Sequence, residues 1–224
     1  IIGDLNIPHT MTDYGKEINA NMTLSGSDFI FKENAESFNW QYKEHNLEID
    51  KPAIPCQNAA TALTTLSVLN LLPSESIIRS CLANLVVEGR FQQLSIEPLV
   101  FTDVAHNPES ARYLANKLSS YKDKGFKIHA LAAMLADKDK AGVFKEVSHL
   151  VDEWSLASLS GPRGDTASNL QNALHELSHH NTINSYDSVA QALNVILPEQ
   201  QSDTMLIIFG SFFTVAGAIN YFKK

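Results

Sequence analysis

The chain has 224 residues, enough for one large domain or two small ones with an ample core. Apolar residues make up 44% and charged residues 19%, and 17 basic against 25 acidic side chains give a net charge of −8. An acidic surface with scattered lysines repels a phosphate backbone, so nucleic acid is not an expected partner. No apolar run approaches the ~18 residues that span a bilayer, so no membrane is expected either. Cys56 and Cys81 lack a metal-type spacing and suit a reduced, cytoplasmic protein. No signal peptide is visible.

In chain order, IIGDLNIP (residues 1–8) lacks an initiator Met and reads as the middle of a sheet, with a short strand over 1–5. The chain is expected to be the C-terminal part of something longer. Residues 27–32 and 37–49 alternate apolar with polar side chains, which predicts two or three antiparallel strands. Pro52 and Pro55 break that pattern. An Ala/Leu-rich helix is expected from Asn58, and a second from Ser74 to about Leu85. Beyond Gly89-Arg90 the rhythm becomes regular. Strands are expected in 94–105, 126–135, 151–159, 182–188 and 204–211, with helices in 108–121, 139–150, 166–178, 187–197 and 211–222. Strands alternating with helices of this length imply a mostly parallel sheet covered on both faces, an α/β, Rossmann-like arrangement. Ligands then sit beyond the carboxyl ends of the strands. Polar clusters fall there: DVAHN (103–107), DKD (137–139), GPRG (161–164) and Gly210-Ser211.

Several motifs fail. The sole Gly-Lys pair, Gly15-Lys16, is followed by Glu17, so no P-loop is present to wrap a phosphate. G-x-G-x-x-G and G-x-S-x-G are absent, which weakens dehydrogenase and hydrolase readings. HELSH (175–179) satisfies the zinc pattern H-E-x-x-H. Leu170, Leu174 and Leu177 mark the buried stripe of that helix, so His175 and His179 are expected in solvent rather than on a metal.

Four segments, GRFQ (89–92), DVAHNPESARYL (103–114), AMLADKDKAGV (133–143) and GSFFTVAGAI (210–219), together resemble the folylpolyglutamate synthases, including the bacterial forms that are also dihydrofolate synthases, within the Mur ligase superfamily. QNAATAL (57–63) resembles the end of that family's central ATPase domain. The resemblance implies a division into residues 1–88, a remnant of the ATPase domain, and 89–224, the glutamate ligase domain. It implies a monomer that uses ATP with Mg2+ to join L-glutamate to folate or dihydropteroate through an acyl phosphate. By the same resemblance, Asn58, Arg90 and Asp103 contact ATP, with Asp103 placed on ribose hydroxyls or on Arg90. His106 and Asn107 face the acyl phosphate and the incoming glutamate. Lys138 and Ser211 are candidates for holding glutamate carboxylates. The P-loop, the magnesium ligands, the pterin loops and a modified lysine would precede residue 1, so the chain alone is not expected to turn over.

Each residue also has a plainer reading. Asn58 could cap the helix that starts there, Arg90 could be a linker charge, and Asp103 and His106 could form a capping turn. Lys138 and Ser211 could be ordinary helix starts. Two positions depart from the family: Glu88 where Pro often precedes GRFQ, and Phe213 where His is common. The alternatives are a non-catalytic module binding nucleotide or glutamate, or another Mur-type ligase. Leu85–Gln93 is the expected interdomain hinge.

Overall fold

The computed structural model describes residues 1–85, 87–177 and 183–223. The chain divides into two compact units, Ile1–Val87 and Glu88–Lys224. No helix among the described residues is long and apolar enough to cross a membrane.

The first unit opens with a segment that does not form the expected strand. Ile2 makes a single parallel bridge to Leu24. A turn follows, in which the Asn6 N–H donates to Asp4 Oδ1 at 2.8 Å. Pro8, which has no N–H, then starts α1 (His9–Glu17), a helix the sequence reading missed. Strands β1 (Phe29–Glu33), β2 (Ser37–Tyr42) and β3 (His45–Asp50) form an antiparallel meander, as the alternation predicts. Phe38, Trp40 and Tyr42 alternate inward along β2. They pack with Ala59, Ala60 and Leu63 of α2 (Cys56–Val68) and Ile78 of α3 (Glu75–Ala83). The Trp40 indole has to find an acceptor once buried. It donates to Thr64 Oγ1 at 2.9 Å, and Thr64 donates to the Ala60 carbonyl at 2.8 Å. Burial pushes the Cys56 thiol up to about 11, which keeps it protonated and inert.

The second unit holds a six-stranded sheet in the order β4-β5-β9-β6-β7-β8. The run 94–105, read as one strand, is two: β4 (Gln92–Ser95) pairs antiparallel with β5 (Leu99–Asp103). Pro98 cannot donate to a ladder, and the chain turns there. The other strands are parallel: β6 (Lys127–Ala132), β7 (Glu153–Ala157), β8 (Ile183–Tyr186) and β9 (Thr204–Phe209). Five helices separate and follow them: α4 (Pro108–Lys122), α5 (Lys140–Val147), α6 (Ala167–His175), α7 (Val189–Glu199) and α8 (Phe212–Phe222).

The central strands β5, β6, β7 and β9 bury both faces, which explains their apolar runs. Met205, Ile207 and Phe209 of β9 face the core formed with α4, α5 and α6. Leu206 and Ile208 face the opposite core, formed with α7 and α8. β9 enters last, between β5 and β6, and its helix leaves to the opposite face from theirs. The carboxyl end of β9 is therefore the topological switch point, where α/β sheets open a crevice.

Candidate functional site at the carboxyl edge of the sheet

Three loops meet around the end of β9: residues 104–107 after β5, 133–139 after β6, and 210–211 after β9. Gly210 makes the approach possible. Its φ is +121°, and a Cβ there would stand 2.5 Å from the Ala133 carbonyl oxygen. Thr214 Oγ1 donates to that same carbonyl at 2.5 Å, fixing the start of α8 against the end of β6.

His106 sits half-buried on the loop after β5. Its Nδ1 lies 2.8 Å from the Val104 carbonyl oxygen. A carbonyl only accepts, so Nδ1 carries the proton in the neutral ring. The tautomer leaves Nε2 unprotonated, as a base. The ring neighbours Phe212 across the switch point, with centroids 6.4 Å apart. Phe212 and Phe213 are both more than half exposed.

Asn107 caps α4. Its Oδ1 accepts from the Ser110 N–H at 2.8 Å, and Pro108 takes the first helical position. The capping and functional readings therefore share this loop. The cap rigidifies the backbone that presents His106, and it occupies the Asn107 oxygen while leaving the amide nitrogen.

Asp103 is buried, with both oxygens held by main-chain amides: Phe91 N–H to Oδ2 and Ala105 N–H to Oδ1, each at 2.8 Å. Burial pushes its carboxyl up, and the two amides and the nearby Arg90 charge pull it back in part. Arg90 is exposed and makes no hydrogen bond or ion pair among the described residues. The segment after it is fastened to the sheet: Val104 N–H donates to the Gly89 carbonyl at 2.8 Å, and Gln92 and Gln93 belong to β4. The expected hinge over Leu85–Gln93 thus overlaps residues that are part of the second unit's fold.

Ser211 is buried, and its hydroxyl caps α8 by accepting the Thr214 N–H at 3.0 Å. Lys138 pairs loosely with Asp137 at 3.5 Å. The sequence reading noted GPRG only as a polar cluster, yet Arg163 donates to both Asp137 oxygens, at 3.0 and 3.1 Å. Arg163 and Lys138 therefore share one carboxylate. The hydrogen bond from Arg163, aided by both positive charges, holds the Asp137 carboxyl below the usual range. Beside them Lys140 pairs with buried Asp165 at 2.7 Å. Burial pushes the Asp165 carboxyl up, but Lys140, Asn169 and the Thr166 N–H outweigh it, and the net shift is downward.

In the first unit Asn58 does not cap α2. That helix starts at Cys56 after Pro55, so Asn58 lies in its first turn, exposed, with no side-chain hydrogen bond among the described residues. His175 is exposed at the end of α6, 3.3 Å from Gln171 Nε2. His179 lies outside the described residues. No group of three or more His, Cys, Asp or Glu that could hold a metal ion occurs among the described residues.

The mostly parallel sheet with His106 at its switch point is an α/β arrangement, and residues 89–212 match the model of the Mur ligase, glutamate ligase domain family. The chain belongs to that family. Over 219 residues it is 35% identical to the dihydrofolate synthase/folylpolyglutamate synthase of Escherichia coli (strain K12), covering 96% of this chain and 50% of that protein. The bifunctional folylpolyglutamate synthase/dihydrofolate synthase of Yersinia pestis, solved with AMPPNP and Mn ion, superposes with a TM-score of 0.87 at 33% identity, over 100% of this chain and 53% of that one. FolC of E. coli, solved with DHPP and ADP, gives 0.87 at 33% identity, over 99% and 52%. The chain spans about half the length of the relatives it matches.

Proposed function

We propose that these residues belong to an ATP-dependent ligase that adds L-glutamate to tetrahydrofolate, dihydropteroate or both. The observation that carries the reading is the 2.8 Å contact of His106 Nδ1 with the Val104 carbonyl, which in the neutral ring turns an unprotonated Nε2 to the switch point. The substrate carboxylate attacks the γ-phosphate of ATP, giving an acyl phosphate and ADP. The glutamate amine then attacks the acyl carbon, Nε2 of His106 takes a proton from that nitrogen, and phosphate leaves as the amide forms. Arg90, exposed and without a hydrogen bond or ion pair among the described residues, suits the phosphates. Lys138 and Arg163, bridged by Asp137, suit the carboxylates of the incoming glutamate. Asn58, exposed in the first turn of α2, suits a nucleotide contact within the first unit, which is read as part of the ATPase domain, while the second unit is the glutamate ligase domain. The Yersinia relative carries a nucleotide analogue with Mn, which supports a divalent ion in the reaction. The described residues supply no ligand set for one.

The 224 residues contain no P-loop sequence, so by themselves they bind substrate without turnover. Both cysteines are free, which accords with a reducing compartment such as the cytoplasm, and the protein is read as a monomer acting on small molecules. The test is ATP- and L-glutamate-dependent phosphate release by the native gene product, with the folate product identified by mass. Glutamylated dihydropteroate or tetrahydrofolate is expected. A folded product that uses a nucleotide-sugar peptide and no folate would contradict the reading and favour another Mur-type ligase.

A further inference from the structure

Phe212, Val215 and Ile219 stand at i, i+3 and i+7 on α8, on one face of the helix. Val215 and Ile219 are buried and pack with Val104, on the loop after β5. Phe212 carries the same stripe past the edge of the core, where it is 62% exposed. The start of the helix is fixed by the Ser211 cap and by the bond from Thr214 to the Ala133 carbonyl. The Phe212 ring therefore stands at a set place beside the base, with its centroid 6.4 Å from that of His106.

That distance decides what the ring can meet. An amine giving its proton to Nε2 lies about 3 Å from it, and the acyl carbon under attack lies next to the amine. A group bonded directly to that carbon is then in reach of Phe212. Aromatic rings pair favourably at centroid separations of about 4.5–7 Å. The two acyl substrates differ at this place. Dihydropteroate ends in a benzoate, so an aromatic ring carries the reacting carboxyl group. Tetrahydrofolate reacts through the γ-carboxyl of its glutamyl tail, so methylenes stand there and the aromatic ring is several bonds further back.

We propose that Phe212 is a specificity-determining residue that packs on the aromatic ring bonded to the acyl carbon, and so favours benzoate-type acyl substrates over γ-glutamyl ones. The inference rests on the function proposed above, with His106 as the base.

The test is steady-state kinetics of the native gene product with each acyl substrate, at saturating ATP and L-glutamate. In Phe212→Ala, kcat/KM for dihydropteroate should fall about tenfold and that for tetrahydrofolate less than about twofold, with the melting temperature unchanged. Equal losses on both substrates would mean that the ring packs on protein, and would overturn the proposal, as would no loss on either. Phe212→Tyr keeps the ring and should stay within about twofold of wild type on dihydropteroate. Phe212→Leu keeps only apolar bulk and should fall at least about threefold. A leucine variant as good as the tyrosine one would overturn the proposal, and this pair decides if the alanine variant does not fold or if the wild type accepts dihydropteroate alone. A wild type confined to tetrahydrofolate would overturn the inference and leave the ligase reading standing. A wild type active on neither would refute the proposed function, and the inference with it.

Discussion

The hydroxyls of Ser211 and Thr214 lie 2.7 Å apart, and Thr214 donates its own proton to the Ala133 carbonyl at 2.5 Å. Each hydroxyl has one proton, so the direction is fixed: Ser211 donates to Thr214, and Thr214 to Ala133. Ser211 also accepts the Thr214 N–H. No proton remains for a glutamate carboxylate. Ser211→Ala should therefore cost about 1–2 kcal/mol in urea unfolding, from the lost cap and the unpaired buried groups. The KM for L-glutamate in the native gene product should move less than about twofold, the span of a lost weak contact. A large rise in KM at unchanged stability would restore Ser211 as a substrate contact.

Gly210 is a second structural point on the same turn. A Cβ would meet a main-chain oxygen at 2.5 Å, and the φ of +121° already disfavours any side chain. Nothing flexible can move aside. Gly210→Ala should destabilise the second unit by more than about 2 kcal/mol. An unfolding midpoint equal to wild type would show that the turn adapts.

His129 gives a pH signature far from the switch point. It is buried on β6, with Nε2 2.9 Å from Ser155 Oγ, and Glu153 lies 3.7 Å from Nδ1. Burial holds its pKa below the ordinary value, and Glu153 offsets this in part. The folded state then binds fewer protons than the unfolded one below about pH 6.5. The stabilisation is fully present above that pH and is lost as pH falls toward the folded pKa. The urea midpoint should drop between about pH 7 and 5, and His129→Gln should remove that part of the slope. The same slope in the variant would assign it to other groups.

The shared carboxylate of Asp137 links Lys138 to Arg163. If this pair receives glutamate, Arg163→Ala and Lys138→Ala should each raise the KM for L-glutamate about tenfold, with a smaller effect on kcat, as expected for lost ground-state binding. An Arg163→Ala enzyme with an unchanged KM would limit the subsite to Lys138.

The parallel sheet was legible because strands buried on both faces read as continuous apolar runs between helical periods, as in TMLIIF of β9. The antiparallel meander was legible from the alternation in SFNWQY. Helix α1 was missed because HTMTDYGKE buries only Gly15 and shows no apolar stripe. The strand expected over residues 1–5 failed because Pro8 and the Asp4 turn interrupt it. Within the site, DVAHNP showed where polar groups gather but not what they hold. The Asp103 oxygens turn toward amides 12 and 2 residues away, a pairing set by the turn at Phe91. Arg163 stands 26 residues from Asp137, and only the adjacent ends of β6 and β7 bring them together.

Glutamate addition depends most directly on Nε2 of His106, and turnover of His106→Asn in the native gene product tests that role. The asparagine amide can reproduce the donor to the Val104 carbonyl and keep the loop, while the base is removed. With the base gone, kcat for glutamate addition should fall by about 100-fold or more with the melting temperature unchanged. A kcat within about twofold of wild type would contradict it.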